Sequence, residues 1–151
     1  MADIVISEFM DNDAVDGLVA EFDVLYAPDL VDNPDDLAKA LRLARGLIVR
    51  NRTQVRGAVL QAAEALKVIG RLGVGLDNID TEQCASRGIQ VFPATGANSE
   101  SVAEYVLTGL LMAFRGAYRA NDAMLAGNWP RAALTGREIN GRTLGLVGFG
   151  G

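Results

Sequence analysis

Arg50, Arg52 and Arg71, the glycines of Gly73-Val74-Gly75, and the closing run Gly148-Phe149-Gly150-Gly151 are the residues whose types and spacing could do chemistry. A guanidinium carries a permanent charge and a planar fork of donors, suited to bidentate capture of a carboxylate, phosphate or sulfonate. Arg50 and Arg52 follow the apolar run Gly46-Leu47-Ile48-Val49, and Arg71 follows Val68-Ile69. The competing explanation is that each is a solvated surface arginine, as most arginines are. Two glycines around a small residue let consecutive N–H groups converge on one concavity, an anion-binding nest, with a bare turn as the alternative. Gly148 to Gly151 are the first four positions of a G-x-G-x-x-G phosphate loop behind the apolar run Leu144-Gly145-Leu146-Val147. Such a loop brings backbone N–H groups and the positive end of a following helix to a pyrophosphate, although glycines there also serve as simple tight turns.

Other chemistries are excluded by what is missing. The 151 residues contain no histidine, so the usual general acid/base at neutral pH and the commonest metal ligand are absent. Asp77 and Asp80 could be imagined as a metal pair, but Asp80 is better read as a helix cap, and no metal site is expected. The one cysteine, Cys84, cannot form an internal disulfide and reads as a small buried hydrophobe. A net charge of −5 argues against nucleic acid as a partner, since affinity for a phosphate backbone comes from clustered Lys and Arg. Asp3 and Glu8 fall where a signal peptide needs a basic start and an unbroken apolar run, so a cytoplasmic location is expected. The apolar stretch from Val102 to Phe114 contains Glu104 and falls short of the roughly 20 residues of a membrane span.

The elements that must position these residues alternate. Ile4-Val5-Ile6, Val24-Leu25-Tyr26, Gly46–Val49, Val68-Ile69 and Ile89–Phe92 read as short buried strands. Between them lie helical patterns: Val15, Leu18, Val19 and Phe22; Leu37, Leu41 and Ala44; Val55, Val59, Ala62 and Leu66. Asn33-Pro34-Asp35-Asp36 is a helix start with a capping side chain, proline at the first position and acids in the first turn. Thr53 can cap the next helix, and Asp80 with Gln83 forms a capping box for a short one. This alternation predicts an α/β fold, an open, doubly wound parallel sheet over the first hundred residues, with ligands beyond the carboxyl ends of the strands.

From Pro93 the texture changes to a turn-rich crossing, and a domain boundary is expected near Ser99, dividing residues 1–98 from 99–151. Ser101 with Glu104 opens a long helix to Tyr118 that is apolar on two faces, Val102, Val106, Leu110 and Ala113 on one, Leu107, Leu111 and Phe114 on another. A helix of this kind has to be covered on both. Its own sheet and a second subunit would do so, as in a homodimer; the alternative is a central helix in one fused core. Leu144 to Val147 read as a further strand.

Three runs, Gly70-Arg71-Leu72-Gly73-Val74-Gly75-Leu76-Asp77-Asn78-Ile79-Asp80, Gly96-Ala97-Asn98-Ser99-Glu100-Ser101-Val102-Ala103-Glu104, and Gly141-Arg142-Thr143-Leu144-Gly145 leading into Gly148-Phe149-Gly150-Gly151, resemble the D-isomer-specific 2-hydroxyacid dehydrogenases, the phosphoglycerate dehydrogenase branch above all. The likeness covers the chain from about Gly46 to its end. It implies a flavodoxin-like substrate domain interrupted by an inserted Rossmann domain, with the long helix beginning the insert and forming much of a homodimer interface. It implies that the nest at Gly73, Val74 and Gly75 binds a substrate carboxylate and that Arg50 and Arg71 reach the substrate. Val74 then lies on the nicotinamide side of the cleft, and Gly148, Gly150 and Gly151 open the pyrophosphate loop of NAD. The family's catalytic arginine, glutamate and histidine match positions beyond residue 151, so no catalytic residue is assigned here and the 151-residue piece is expected to be inactive alone. The resemblance implies a small 2-hydroxy or 2-oxo acid as substrate, phosphoglycerate-, glycerate- or sulfolactate-like, and the added Arg52 leans toward one bearing a second anionic group such as phosphate, sulfonate or another carboxylate. A stand-alone flavodoxin-like anion-binding or dimerisation module is the alternative.

Overall fold

Five short strands, β1 (Ile4–Ile6), β2 (Val24–Tyr26), β3 (Gly46–Val49), β4 (Val68–Arg71) and β5 (Gln90–Pro93), pair in parallel in the order β2-β1-β3-β4-β5. This is seen in a computed structural model that describes residues 2–148. The order is that of a flavodoxin-like doubly wound sheet. Parallel neighbours require crossovers, supplied here by α1 (Asn12–Val19), α2 (Pro34–Leu41), α3 (Gly57–Ala62) and α4 (Thr81–Ser86). Right-handed connections place α1 on one face of the sheet and α2, α3 and α4 on the other. The core follows that division: Val5, Leu47, Val49 and Ile69 of the strands meet Leu37, Leu41, Val59, Leu60 and Cys84 of the three helices in one buried cluster. Ile6 and Val15 are buried apart from it, while Phe92 on the same strand face as Ile6 is 57% exposed.

The chain divides into two compact units after Thr95. The second contains α5 (Ser99–Phe114), a short 3-10 turn at Gly116–Arg119 and α6 (Asn121–Leu125). None of the residues of α5 is buried.

Several local expectations need correcting. Thr53 caps no helix: its amide and hydroxyl are both engaged with the end of β1, and α3 begins only after Arg56, which is extended. Helix α1 stops at Val19, so Phe22 falls outside it and both residues stay exposed, leaving Val15 as its buried contact. Asn33 holds the cap position of α2, but its side-chain amide donates to the Asp29 carbonyl. Asn98, not Ser101, precedes α5, because the chain turns helical three residues earlier, after the turn at Gly96 with φ +80°. The helix also ends sooner than Tyr118, because Arg115 is extended and the next residues tighten into the 3-10 turn. Leu144 to Val147 form no strand among the described residues; a strand needs a neighbour for its ladder hydrogen bonds, and these residues have none.

Candidate anion-binding site

In an open α/β sheet the crevice forms where connections leave in opposite directions, at the carboxyl ends of the strands on either side. Here that point lies between β1 and β3, whose carboxyl ends run into Ser7-Glu8-Phe9 and into Arg50-Asn51-Arg52-Thr53. Glu8 was not among the sequence candidates, yet it organises the rim. Its Oε1 accepts from the amides of Arg50 at 2.8 Å and Thr53 at 3.0 Å, and its Oε2 accepts from the amide of Arg52 at 3.1 Å. Burial alone would push its pKa up, but the hydrogen bonds from Thr53, Arg50 and Arg52 outweigh it and hold the carboxyl below its ordinary value. Ser7 Oγ and Thr53 Oγ1 lie 3.0 Å apart in a buried hydrogen bond. The Asn78 side-chain amide donates to the carbonyls of Arg50 at 3.2 Å and Thr53 at 2.8 Å. Ser7, Glu8, Thr53 and Asn78 are the buried polar side chains among the described residues, and all four converge on this one turn. Buried polar groups persist where their hydrogen bonds are made, and here those bonds fix a loop.

The three predicted arginines do occupy one rim. Arg71, the last residue of β4, pairs in register with Val49, immediately before Arg50. Each guanidinium, however, already has its own neighbour. Arg50 lies over the Phe9 ring, 5.8 Å from its centroid, and Arg52 forms an exposed ion pair with Asp32. Both line an open cleft of about 430 Å³ together with Glu8, Phe9, Asn51 and Asp32. Arg71 folds back over Gly73, its Nη1 occupying the space a Cβ would take, and φ there is +153°, a backbone conformation that L side chains rarely adopt.

The nest is narrower than expected. The Gly73 amide donates to the Arg71 carbonyl at 2.8 Å and is therefore used within the turn. The amides of Val74 and Gly75 donate to nothing among the described residues. Val74 and Gly75 thus offer two unpaired amides on a turn, with the Arg71 guanidinium beside Gly73 and the Asp77 carboxylate beside Gly75; successive free amides of this kind are donors that an anion can accept from. Val74 is 47% exposed, open to contact.

In the second unit, Gly148 has φ +86°, a conformation that favours glycine, and with Leu146 it lines an apolar hollow of about 580 Å³ against Ser99, Val102, Ala103, Val106 and Leu107 of α5. Gly150 and Gly151 lie outside the described residues. Cys84 is buried; that burial and then Asp80 push its thiol pKa up, so it stays a protonated core residue. Among the described residues no group of acids and cysteine could hold a metal, and no helix is long and apolar enough to cross a membrane.

Against known proteins, the model of the D-isomer specific 2-hydroxyacid dehydrogenase catalytic domain matches residues 4–143. The chain is 53% identical over 151 residues to (S)-sulfolactate dehydrogenase of Chromohalobacter salexigens, all of this chain against 49% of that protein. It is 38% identical over 150 residues to D-3-phosphoglycerate dehydrogenase of Methanocaldococcus jannaschii, 99% of this chain against 28% of that one. The structure of D-lactate dehydrogenase from Aquifex aeolicus, complexed with NAD and lactic acid, matches with a TM-score of 0.77 and 22% identity over 91% of this chain and 41% of its own, a likeness of fold alone. The chain thus spans about half the length, or less, of these curated relatives.

Proposed function

The chain belongs to the D-isomer specific 2-hydroxyacid dehydrogenase family, and from that premise we propose that it carries the substrate-gripping part of an NAD-dependent oxidoreductase acting on a small anionic 2-hydroxy or 2-oxo acid. The observation that carries this reading is the pair of unpaired amides at Val74 and Gly75 on the turn that follows Arg71, next to a rim bearing Arg50 and Arg52. In it the amides and Arg71 hold the substrate carboxylate, and Arg50 and Arg52 receive a second, distal anionic group, as in phosphoglycerate or sulfolactate; glycerate is the smaller candidate. Holding the carboxylate at one end and the distal anionic group at the other restricts rotation about the bonds to C2, which lowers the entropic barrier to reaction.

NAD would supply the hydride acceptor for C2. The glycine conformation at Gly148 is compatible with the start of its phosphate loop, which Gly150 and Gly151 would continue, while the exposed Val74 would border the nicotinamide. Residues 1–98 then serve as the substrate domain, completed by a C-terminal return over the sheet face that leaves Phe92 exposed, and residues 99–151 begin the cofactor domain. The uncovered apolar faces of α5 support a homodimer through that helix. A cytoplasmic location fits a lone, buried thiol.

The test is Arg71→Ala in the protein expressed from its complete reading frame. We expect the KM for the hydroxy acid to rise about tenfold or more, the loss of one charge-assisted contact, with the KM for NAD little changed. An equal effect on both places Arg71 outside the substrate pocket. The 151-residue polypeptide, titrated with NADH and followed by fluorescence, should show no tight binding and no turnover. Micromolar binding would show that residues 1–151 suffice to hold the dinucleotide, and turnover would contradict inactivity alone. Absence of any dehydrogenase activity from the complete frame would favour a stand-alone anion-binding or dimerisation module.

A further inference from the structure

We propose that Glu8 is a positioning residue for distal-group recognition, holding the backbone from which Arg50 and Arg52 project so that Arg52 can meet the second anionic group of the substrate; this rests on the function proposed above. The argument begins from the division of labour between its two oxygens. Oε1 takes the amides of Arg50 and Thr53, while Oε2 takes that of Arg52. Arg50 and Arg52 are therefore clamped by their own backbone N–H groups, which leaves both guanidiniums outside the clamp, one over Phe9 and the other in its exposed ion pair with Asp32. Long side chains on an unrestrained loop would lose rotamer and backbone freedom together on binding an anion; a loop fixed beforehand loses only the first. Glu8 is the buried acid among the described residues, and it is placed at the switch point of the sheet, where its charge is balanced by three donors. A residue needed for core stability alone would more simply be apolar, because burying a charge costs stability unless it is fully hydrogen-bonded.

The two oxygens permit a substitution that separates positioning from folding. In Glu8→Gln the carbonyl oxygen can still accept from Arg50 and Thr53, but the new NH2 faces the Arg52 amide, donor against donor. In the protein from its complete reading frame, with whichever of sulfolactate or D-3-phosphoglycerate the wild type oxidises, this variant should raise the substrate KM about tenfold. Its kcat and its KM for NAD should stay within about twofold of wild type. Amide hydrogen exchange should accelerate at Arg52 and remain slow at Arg50 and Thr53. Should the variant not fold, Ser7→Ala, which removes the hydroxyl bond to Thr53, is expected to raise the same KM about threefold without touching that for NAD. Changes of equal size in both KM values, or no change in either, overturn the role of Glu8 and leave the dehydrogenase reading intact. A wild-type protein that oxidises neither acid removes distal-group recognition and this inference with it; the dehydrogenase reading falls only if glycerate and other small 2-hydroxy acids are not oxidised either.

Discussion

Leu37, Leu41, Leu47, Leu60 and Ile69 in the first compact unit are shielded almost completely from water, whereas Leu107, Leu111, Met112 and Leu125 in the second are each more than two-fifths exposed. Both units contain helices with apolar faces; the difference is that the first has a sheet to lay them on. Among the described residues of the second unit, Ala120 is the buried hydrophobic one. A parallel sheet with helices against it satisfies its backbone and its side chains together, while a long helix satisfies its own backbone and leaves its apolar stripes to a partner. The first unit therefore holds the buried core and a fixed polar rim; the described residues of the second hold exposed apolar surface.

That contrast can be broken by substitution. Leu47→Ala, in the middle of β3, should destabilise the chain by about 2–5 kcal/mol, whereas Leu107→Ala on α5 should change it by no more than about 0.5 kcal/mol. Urea unfolding followed by circular dichroism measures both, and similar losses would mean that α5 is covered in solution. A smaller effect concerns the rim. Glu8 has a folded pKa held below its unfolded value, so its contribution to stability is complete above the unfolded value of about 4.3 and is lost as pH falls through the lower, folded one. The stability gap between wild type and Glu8→Gln should then be constant from pH 7 to about pH 5 and shrink below that; a gap that widens on acidification would show that the hydrogen bonds do not favour the ionised carboxyl. The smallest effect sharpens the comparison from the other side. Asp32→Ala removes an ion pair that is more than half exposed at both ends, and should cost less than about 1 kcal/mol even in the first unit. A larger loss would mean that surface charge, rather than the buried cluster, separates the two units.

Much of the first unit was legible along the chain. The strands at Ile4–Ile6 and Gly46–Val49 are continuous apolar runs, which parallel strands buried on both faces require. The cap of α4 was legible too: the Asp80 side chain accepts from the Gln83 amide at 2.9 Å as its spacing implied. Thr53 shows why other positions were not. A threonine before an apolar pattern is a good local cap, but the acceptor at Glu8 and the hydroxyl at Ser7 lie more than forty positions away and outcompete it. The sign that could have led to Glu8 was its place, a charged side chain immediately beyond the first buried strand, where the switch-point rule locates ligands. The Leu144–Val147 run failed for the opposite reason: its apolar pattern suits a strand, and pairing depends on neighbours that no local pattern supplies.

What the amino-acid order determined alone was periodicity and chemistry: which segments alternate between strand and helix, which are too polar or too short to cross a membrane, and which arginines and glycines could hold an anion. Tertiary structure decided occupancy. It gave the Gly73 amide to Arg71's carbonyl, set the guanidinium of Arg71 over that glycine, and gathered the buried polar side chains under the arginine turn. The reason is range. Periodicity is a property of neighbours in the chain, whereas a hydrogen-bond donor at Arg52 and an acceptor at Glu8 become neighbours only when β1 and β3 lie side by side.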